Sequence, residues 1–216
     1  MSKGEKRMKF QISYNTTDLA QALDLAKKTA EYADILGIGS LLLLKEGVNA
    51  IKVFKQTFPN KELFAEAKII EKADDAVTIL SQAGANYVSI LAGSFHVTIK
   101  KAVVAAKAFD TKIIFDLFDA QASGQSAADA RALGVHAIML HRTPAVDEMV
   151  EAENEWRNVR DNTTLPLFVT GKIDLSNINH LLALKPQTVM IGSAISKAND
   201  PAKTAAQFRE LISGKE

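Results

Sequence analysis

Residues 63–91 read LFAEAKIIEKADDAVTILSQAGANYVSIL and contain one complete strand–helix–strand unit. A buried strand is predicted from Leu63 to Lys68, and a helical pattern follows from Asp75 to Ala83. Gly84 comes directly after this helix, where a left-handed C-terminal cap is expected. The chain then enters a second apolar strand, Tyr87 to Leu91. Two strands joined by one helix within so short a span indicate a parallel sheet with helical crossovers.

The same unit recurs along the chain. Six further apolar stretches have the composition of buried strands: 10–14, 33–38, 112–117, 136–141, 165–170 and 188–192. Helical patterns separate most of them, over 18–32, 97–108, 126–133, 146–160 and 175–184. Eight alternating units predict an α/β protein with one domain, a closed (β/α)8 TIM barrel, over residues 8–216. The rival, an open doubly wound sheet, would carry a glycine-rich loop after its first strand, where this chain has NTTD at 15–18.

Composition excludes several classes of protein. The chain has 216 residues, 47% of them hydrophobic, and a formal net charge of +1, so no clustered basic surface for nucleic acid is expected. The absence of cysteine excludes disulfides, thiolate metal sites and a cysteine nucleophile. No apolar run reaches the roughly 18 residues of a membrane span. Residues 1–7 are basic without a signal-peptide core, which predicts a disordered or non-native start and a cytoplasmic protein.

The ends of the predicted strands carry the candidate functional residues. In a barrel of this kind, functional groups lie at the C-terminal ends of the strands and in the loops that follow. Any single charged strand end could simply be solvated, but here polar residues follow nearly all eight strands. We therefore predict a functional mouth. Its candidates on the first six strands are Asn15, Glu66, Lys68, Glu71, Asp116, His141 and Arg142, with Asn15 and Arg142 contacting substrate.

Two turns of small residues follow the last two strands. They contain Thr170, Gly171 and Lys172 after the seventh strand and Gly192 and Ser193 after the eighth. Free backbone N–H groups there, the second set at the start of a short helix, would form an anion site of the kind barrels use for phosphate. Either turn alone could be an ordinary tight turn. Together, on neighbouring strands, they predict a phosphorylated substrate.

Several phrases of the sequence match one known superfamily. They are AEYADI at 30–35, QAGA at 82–85, RALG at 131–134, IGSAI at 191–195 and EAKIIE at 66–71, the last in place of a D-x-K-x-x-D motif. From about Met8 onward the chain resembles the orotidine 5′-phosphate decarboxylase superfamily. Within it, the chain is most similar to the branch that holds 3-hexulose-6-phosphate synthase and 3-keto-L-gulonate-6-phosphate decarboxylase.

The resemblance implies chemistry through an enediolate of a ketose phosphate, stabilised by Mg²⁺. It implies that Lys68 is the electrostatic and acid–base centre and that Glu66 flanks it and binds the metal. It further implies a homodimer with shared active sites, in which Glu71 reaches into the partner's site. His141 would move a proton near the substrate hydroxyls, and Asp116 would bind those hydroxyls.

The chain departs from the family pattern inside the site. Asn15 replaces an aspartate after the first strand, and Gly37 replaces a metal-binding glutamate after the second. Both aspartates of the motif are glutamates, and Thr170 replaces a glycine. Glu66 is thus left as the main protein ligand for Mg²⁺. Gly37 predicts a hole the size of a side chain, which could admit a different substrate group.

Three functions remain open on the sequence. The first is a carbon–carbon lyase of the hexulose-phosphate-synthase type, which joins ribulose 5-phosphate to formaldehyde. The second is the decarboxylase of the same branch, because the pair at 141–142 resembles that enzyme while Asp116 and residues 91–99 look more like the synthase. The third belongs to another class: a non-catalytic barrel that binds a sugar phosphate and has lost its metal.

Overall fold

The computed structural model describes residues 7–141 and 148–214 of the chain. Eight parallel strands close into a barrel in sequence order, so the predicted (β/α)8 architecture is confirmed. The strands are β1 (Lys9–Tyr14), β2 (Ile35–Ile38), β3 (Glu62–Ile69), β4 (Tyr87–Leu91), β5 (Lys112–Asp116), β6 (Ala137–His141), β7 (Leu167–Thr170) and β8 (Thr188–Ile191).

Helices follow the strands on the outside of the barrel. They are α1 (Leu19–Thr29), α2 (Ser40–Glu46), α3 (Val48–Thr57), α4 (Ala73–Gln82), α5 (His96–Lys107), α6 (Ser123–Leu133), α7 (Glu148–Asn162), α8 (Ile178–Ala183), α9 (Ser193–Ser196) and α10 (Pro201–Ser213). Asp18 caps α1 by accepting a hydrogen bond from the backbone N–H of Gln21 at 3.0 Å. Within the described residues, every helix is too short or too polar to cross a bilayer.

Strand alternation decides which residues face the barrel interior. Side chains on the outer face of the sheet pack against the helices, as Phe10 does against Phe208 and Tyr14 against Phe54. The alternate residues face inward, and the lower ones form a separate apolar layer of Ile35, Phe64, Tyr87, Ile114, Ala137, Met139, Phe168 and Met190. Continuing that alternation upward brings polar residues of several strands to the C-terminal mouth. An apolar floor therefore lies beneath a polar site.

A bulge in β3 sets the position of Lys68. Ala65 pairs with Val88 and Ile69 with Ile90, so β3 has two residues more than β4 between these pairs. Lys68 has a φ of 48°, in the left-handed region that a lysine rarely adopts. Its backbone N–H donates to the Oγ of the buried Ser89 at 2.9 Å, which stabilises the bulge. Local strain thus fixes the direction of one candidate catalytic side chain.

Asp34 joins three parts of the fold beneath β2. Its carboxylate accepts hydrogen bonds from the backbone N–H of Phe10 at 2.9 Å and from Arg209 of α10 at 2.7 Å, and it also contacts Arg7. Burial alone would raise the pKa of this carboxyl, but the hydrogen bond from Phe10 and the two arginines outweigh it and lower the pKa. The ionised form therefore stabilises the folded state.

We expect Asp34→Asn to lower the free energy of unfolding by about 2 kcal/mol at pH 7, because Arg209 then loses its anionic partner and keeps only the carbonyl of Tyr32. A lowered folded-state pKa gives stability that is present above the unfolded pKa of about 4 and is lost as the pH falls through the folded value. Urea unfolding from pH 7 to pH 3 should show the two proteins converging below about pH 4. Asp24→Asn is the control, since Asp24 is exposed on α1. A difference in the free energy of unfolding that stays the same at every pH would contradict a stabilising role for ionised Asp34.

Candidate active site

A cavity of about 440 Å³ opens at the C-terminal ends of the strands. Its lining includes nine of the residues that the sequence predicted, namely Asn15, Glu66, Lys68, His141, Thr170, Gly171, Lys172, Gly192 and Ser193. Asp116 and Glu71 are not part of the lining, and Arg142 lies outside the described residues. The predicted candidates thus converge on one pocket of the size that small-molecule sites have.

Lys68, Asp116 and His141 form the charged centre of this cavity. The Nζ of Lys68 lies 2.7 Å from one carboxylate oxygen of Asp116, and the Nε2 of His141 lies 2.7 Å from the other. The backbone N–H of Phe118 also donates to Asp116, at 3.0 Å. Asp116 itself is fully buried, so it reaches the cavity through the lysine and the histidine rather than directly.

The surroundings of Asp116 keep it ionised. Burial by itself would raise the pKa of this carboxyl, but His141 and Lys68 outweigh burial and lower the pKa. Each partner compensates part of the charge of this buried carboxylate, so the loss of either one costs stability. The three residues therefore hold each other in fixed positions. The contacts of Asp116 differ from the hydroxyl-binding role that the resemblance implies.

Phe118 adds an aromatic wall that the sequence prediction missed. Its ring centroid lies 4.3 Å from the Nζ of Lys68, and the ring meets that of His141 edge-on at 5.0 Å. Although 66% of Phe118 is exposed, it lines the cavity. A ring over an ammonium group limits the directions that this group can take. The available signal was only an aromatic residue two positions after the predicted Asp116.

Glu66 is held by two side chains of β1 that were also missed. Its Oε1 accepts hydrogen bonds from the Oγ of Ser13 at 2.6 Å and from the Nε2 of Gln11 at 3.1 Å. Burial raises the pKa of Glu66, and the hydrogen bond from Ser13 and the charges of Lys68 and His141 offset part of that rise. Alternation offered a signal here, because residues 11 and 13 share one face of β1 and precede the predicted Asn15 at the same spacing.

The expected hole at Gly37 is wrong. A Cβ added to this glycine would lie 2.5 Å from Nε2 of Gln11, 2.7 Å from Oε1 of Glu66 and 2.9 Å from Oγ of Ser13. These three side chains fill the space that a side chain at position 37 would need. The physical reason is that a glutamate at position 66 reaches one methylene farther than an aspartate and meets the polar side chains of β1.

The described residues do not fit a resident Mg²⁺. This ion takes oxygen ligands in near-octahedral geometry and prefers carboxylates. Oε1 of Glu66 already faces two hydrogen-bond donors, and Oδ1 of Asn15 accepts from the backbone N–H of Leu41 at 3.0 Å. Over 7–141 and 148–214, acidic and histidine side chains form no group of three that could hold an ion.

The part of the cavity lining that follows β7 and β8 is polar and positively charged. Thr170, Gly171 and Lys172 line it from the β7–α8 loop, and Ser193 lines it from α9. Lys197, which was not predicted, joins Lys172 there; neither lysine forms an ion pair with a residue in the described part of the chain. Two uncompensated ammonium groups beside a turn of small residues can hold a phosphate group.

Comparison with known proteins identifies relatives along almost the whole chain. The model of the orotidine 5′-phosphate decarboxylase / HUMPS family matches residues 8–208. A 3-hexulose-6-phosphate synthase of Bacillus subtilis is 29% identical over 209 residues, which cover 95% of this chain and 99% of that protein.

Solved structures agree with these sequence matches. The structure of 3-hexulose-6-phosphate synthase from Salmonella typhimurium superposes with a TM-score of 0.89 at 26% identity, covering 97% of this chain and 100% of that one. The structure of 3-keto-L-gulonate-6-phosphate decarboxylase from Vibrio cholerae superposes with a TM-score of 0.82 at 23% identity and covers 95% and 97% of the two chains. At that identity the second match supports the fold alone.

Proposed function

We propose that this chain, which belongs to the orotidine 5′-phosphate decarboxylase / HUMPS family, is a carbon–carbon lyase that joins ribulose 5-phosphate to formaldehyde. Its sequence relatives support this reaction over decarboxylation, because those at 27–29% identity are 3-hexulose-6-phosphate synthases. The observation that carries the proposal is the set of Lys68, Asp116 and His141 at a cavity that is also lined by Lys172 and Lys197, two lysines without an ion pair in the described part of the chain.

The cavity orients the substrate by its two ends. The phosphate of ribulose 5-phosphate binds between Lys172 and Lys197, and the carbonyl end then lies beside Lys68 and His141. Binding the phosphate away from the reacting atoms supplies energy for holding the sugar in position. Phe118 covers the ammonium group of Lys68 on one side and limits its contact with water.

Each chemical step can be assigned to these residues. His141, held by Asp116, removes a proton from C1, and the C1–H electrons form the enediolate. Lys68 neutralises the negative charge that develops on the C2 oxygen. C1 then attacks the carbon of formaldehyde and forms the new carbon–carbon bond, and the formaldehyde oxygen takes the proton from His141. The product is a 3-hexulose 6-phosphate, and the residues return to their starting states.

A direct assay tests the proposed reaction against the two alternatives. Purified protein is incubated with ribulose 5-phosphate and ¹³C-formaldehyde, and the product is followed by NMR for a ¹³C-labelled hydroxymethyl group bonded to the sugar. A parallel reaction with 3-keto-L-gulonate 6-phosphate is followed by CO₂ release. Release of CO₂ without aldol product would indicate the decarboxylase. Calorimetric binding of ribulose 5-phosphate without either reaction would indicate the non-catalytic barrel.

The phosphate assignment gives a separate prediction. Lys172→Ala and Lys197→Ala should each raise KM for ribulose 5-phosphate about tenfold, and the double variant about a hundredfold, because each removes one charged contact to phosphate. The value of kcat should change less, since neither lysine contacts the reacting carbons. Steady-state kinetics with Lys52→Ala, on the outer helix α3, as the control would check this. An unchanged KM in the double variant would contradict the assignment.

A homodimer with shared sites is also part of the proposal. Large apolar side chains are exposed near the mouth on the segments after β2, β3 and β4, with Leu44 85% and Phe95 81% exposed. The Oγ of Ser94 donates to the carbonyl of Ile69 at 3.2 Å, which joins two of these segments. Apolar side chains exposed together mark contact surfaces. A second copy that covers them would bring its exposed Glu71 near the neighbouring cavity.

Leu44→Lys combined with Phe95→Asp should convert the dimer into a monomer and lower the activity per subunit. A charged side chain cannot be buried at the contact without a partner. Sedimentation velocity at micromolar concentration would measure the mass. Leu211→Lys, on α10 away from the mouth, is the control and should remain dimeric. A wild-type protein that is already monomeric at this concentration would contradict the dimer.

A further inference from the structure

The contacts of Glu66 suit a hydrogen-bonding role better than that of a metal ligand. Oε1 of Glu66 accepts from Ser13 and Gln11, and Gln11 also donates to Ser13 at 3.2 Å. All three side chains crowd the space above Gly37, where an added Cβ would lie within 2.9 Å of each. Hydrogen-bond donors that converge on a carboxylate oxygen compete with a cation for the same lone pairs. Oε1 of Glu66 is thus taken by two donors and is a poor ligand for a divalent ion.

The cavity also contains enough positive charge for the intermediate. Lys68, Lys172 and Lys197 all line it, and the proposed function assigns the first to the reacting carbons and the other two to the phosphate. Glu66 is the one carboxylate among the described residues that line the cavity. Asp116 is occupied by Lys68, His141 and the N–H of Phe118. Three ammonium groups therefore face a dianionic phosphate and one developing oxyanion, and the imidazolium that His141 becomes on taking the proton offsets the charge of Asp116.

We infer that this chain binds its sugar phosphate and forms its enediolate without a divalent cation, and that Glu66 accepts a hydrogen bond from a substrate hydroxyl. Ser13 and Gln11 are positioning residues, because they act through Glu66 by fixing its carboxylate. The inference rests on the proposed function for the enediolate step. The statement that the sugar phosphate binds without a divalent cation rests only on the contacts of Glu66.

Direct metal binding is the first part of the test. Mn²⁺, which has its own electron paramagnetic resonance signal, is added at up to 1 mM to the wild-type protein with and without ribulose 5-phosphate. We expect the signal of free Mn²⁺ to be undiminished in both cases. Calorimetric Kd values for ribulose 5-phosphate should agree within about twofold in EDTA and in Mg²⁺. Stoichiometric Mn²⁺ binding, or sugar-phosphate binding that EDTA abolishes and Mg²⁺ restores, would overturn the inference.

Substitution of Glu66 is the second part. Glu66→Gln keeps an acceptor oxygen for the substrate, so Kd should rise by no more than about threefold, whereas Glu66→Ala should raise it about tenfold or more. The Kd of Ser13→Ala should lie between those of the two Glu66 variants, since Glu66 then loses its shortest hydrogen bond. If Glu66 bound a metal ion instead, both substitutions would remove the carboxylate ligand and weaken binding alike. An equal rise of Kd in Glu66→Gln and Glu66→Ala would therefore overturn the proposed role of Glu66.

The two parts separate this inference from the proposed function. Binding and resonance measurements do not depend on turnover, so they remain decisive if no aldol product forms. Product formation that persists in EDTA supports both statements. Product formation that needs Mg²⁺ would support the lyase and overturn the metal-free enediolate.

Discussion

Lys68→Ala is expected to lower kcat for carbon–carbon bond formation by about 10³-fold or more, the largest effect of any single substitution in this site. The oxyanion at C2 develops in a cavity where its neutralising charge is already in place, and removal of one such group costs other enzymes about 10²–10³ in rate. Lys68 is also one of the two partners of the buried Asp116. Its loss therefore disturbs His141 as well.

The position of Lys68 makes this expectation specific. The left-handed backbone at this residue and its hydrogen bond to Ser89 aim the side chain at Asp116 under the ring of Phe118. A positive charge elsewhere in the cavity cannot take this place. Lys68→Arg should for that reason also be severely impaired, by about 10²-fold, because a planar guanidinium does not match the position of an ammonium group.

Kinetics and stability should be measured on the same samples. Lys68→Met keeps most of the length of the side chain without its charge, and it should lose as much activity as Lys68→Ala. Urea unfolding should show a loss of no more than about 2 kcal/mol, because Asp116 keeps His141 and the N–H of Phe118 as partners. Retention of activity within tenfold of the wild type in a folded Lys68→Met protein would refute the central role of this lysine.

The fold was predictable because its signal is repeated eight times. Alternating apolar strands, helical periodicity between them and glycine caps such as Gly134, which has a φ of 81°, all agree with one architecture. Helices α3 and α10 were not assigned, although both are amphipathic in the structure. Their absence did not affect the prediction, since the strands alone define the barrel.

The site was predictable only as far as strand alternation and the resemblance reach. Glu66, Lys68 and His141 could be assigned to one cavity because each lies near the C-terminal end of a strand, where side chains reach the mouth of the barrel. The side chains that fill the space above Gly37 could not be predicted, because they come from two strands, β1 and β3. The bulge at Lys68 likewise depends on pairing between β3 and β4. Contacts between strands distant in sequence leave no local pattern.

Asp116 is a second case in which the position of a residue was predicted from the sequence but its contacts were not. The sequence placed it correctly at the end of β5, and the resemblance assigned it to substrate hydroxyls. The structure buries it completely and surrounds it with Lys68, His141 and a backbone N–H. Two of these partners, Lys68 and His141, come from β3 and β6, and a strand pattern does not report contacts between strands. The contribution of Asp116 to catalysis is therefore best tested through its partners.

Asp116→Asn is expected to lower kcat by about 10²–10³-fold and to change KM for ribulose 5-phosphate by no more than about threefold. The carboxylate does not line the cavity, so substrate binding should be largely preserved. Catalysis should suffer because an amide has one acceptor oxygen in place of two and cannot hold both Lys68 and His141, and a displacement of about 1 Å can cost around a hundredfold in rate. Asp119→Asn, in the same loop but outside the cavity lining, is the control and should be nearly fully active.

A double-mutant cycle distinguishes action through the partners from a direct role. If Asp116 works only by positioning Lys68 and His141, then Asp116→Asn should cost much less in a Lys68→Ala background than in the wild type, because residues that act as a unit are strongly non-additive. The measured quantity is kcat for the wild type, the two single variants and the double variant. Independent effects that multiply in the double variant would mean that Asp116 contacts the substrate itself, as the resemblance implied.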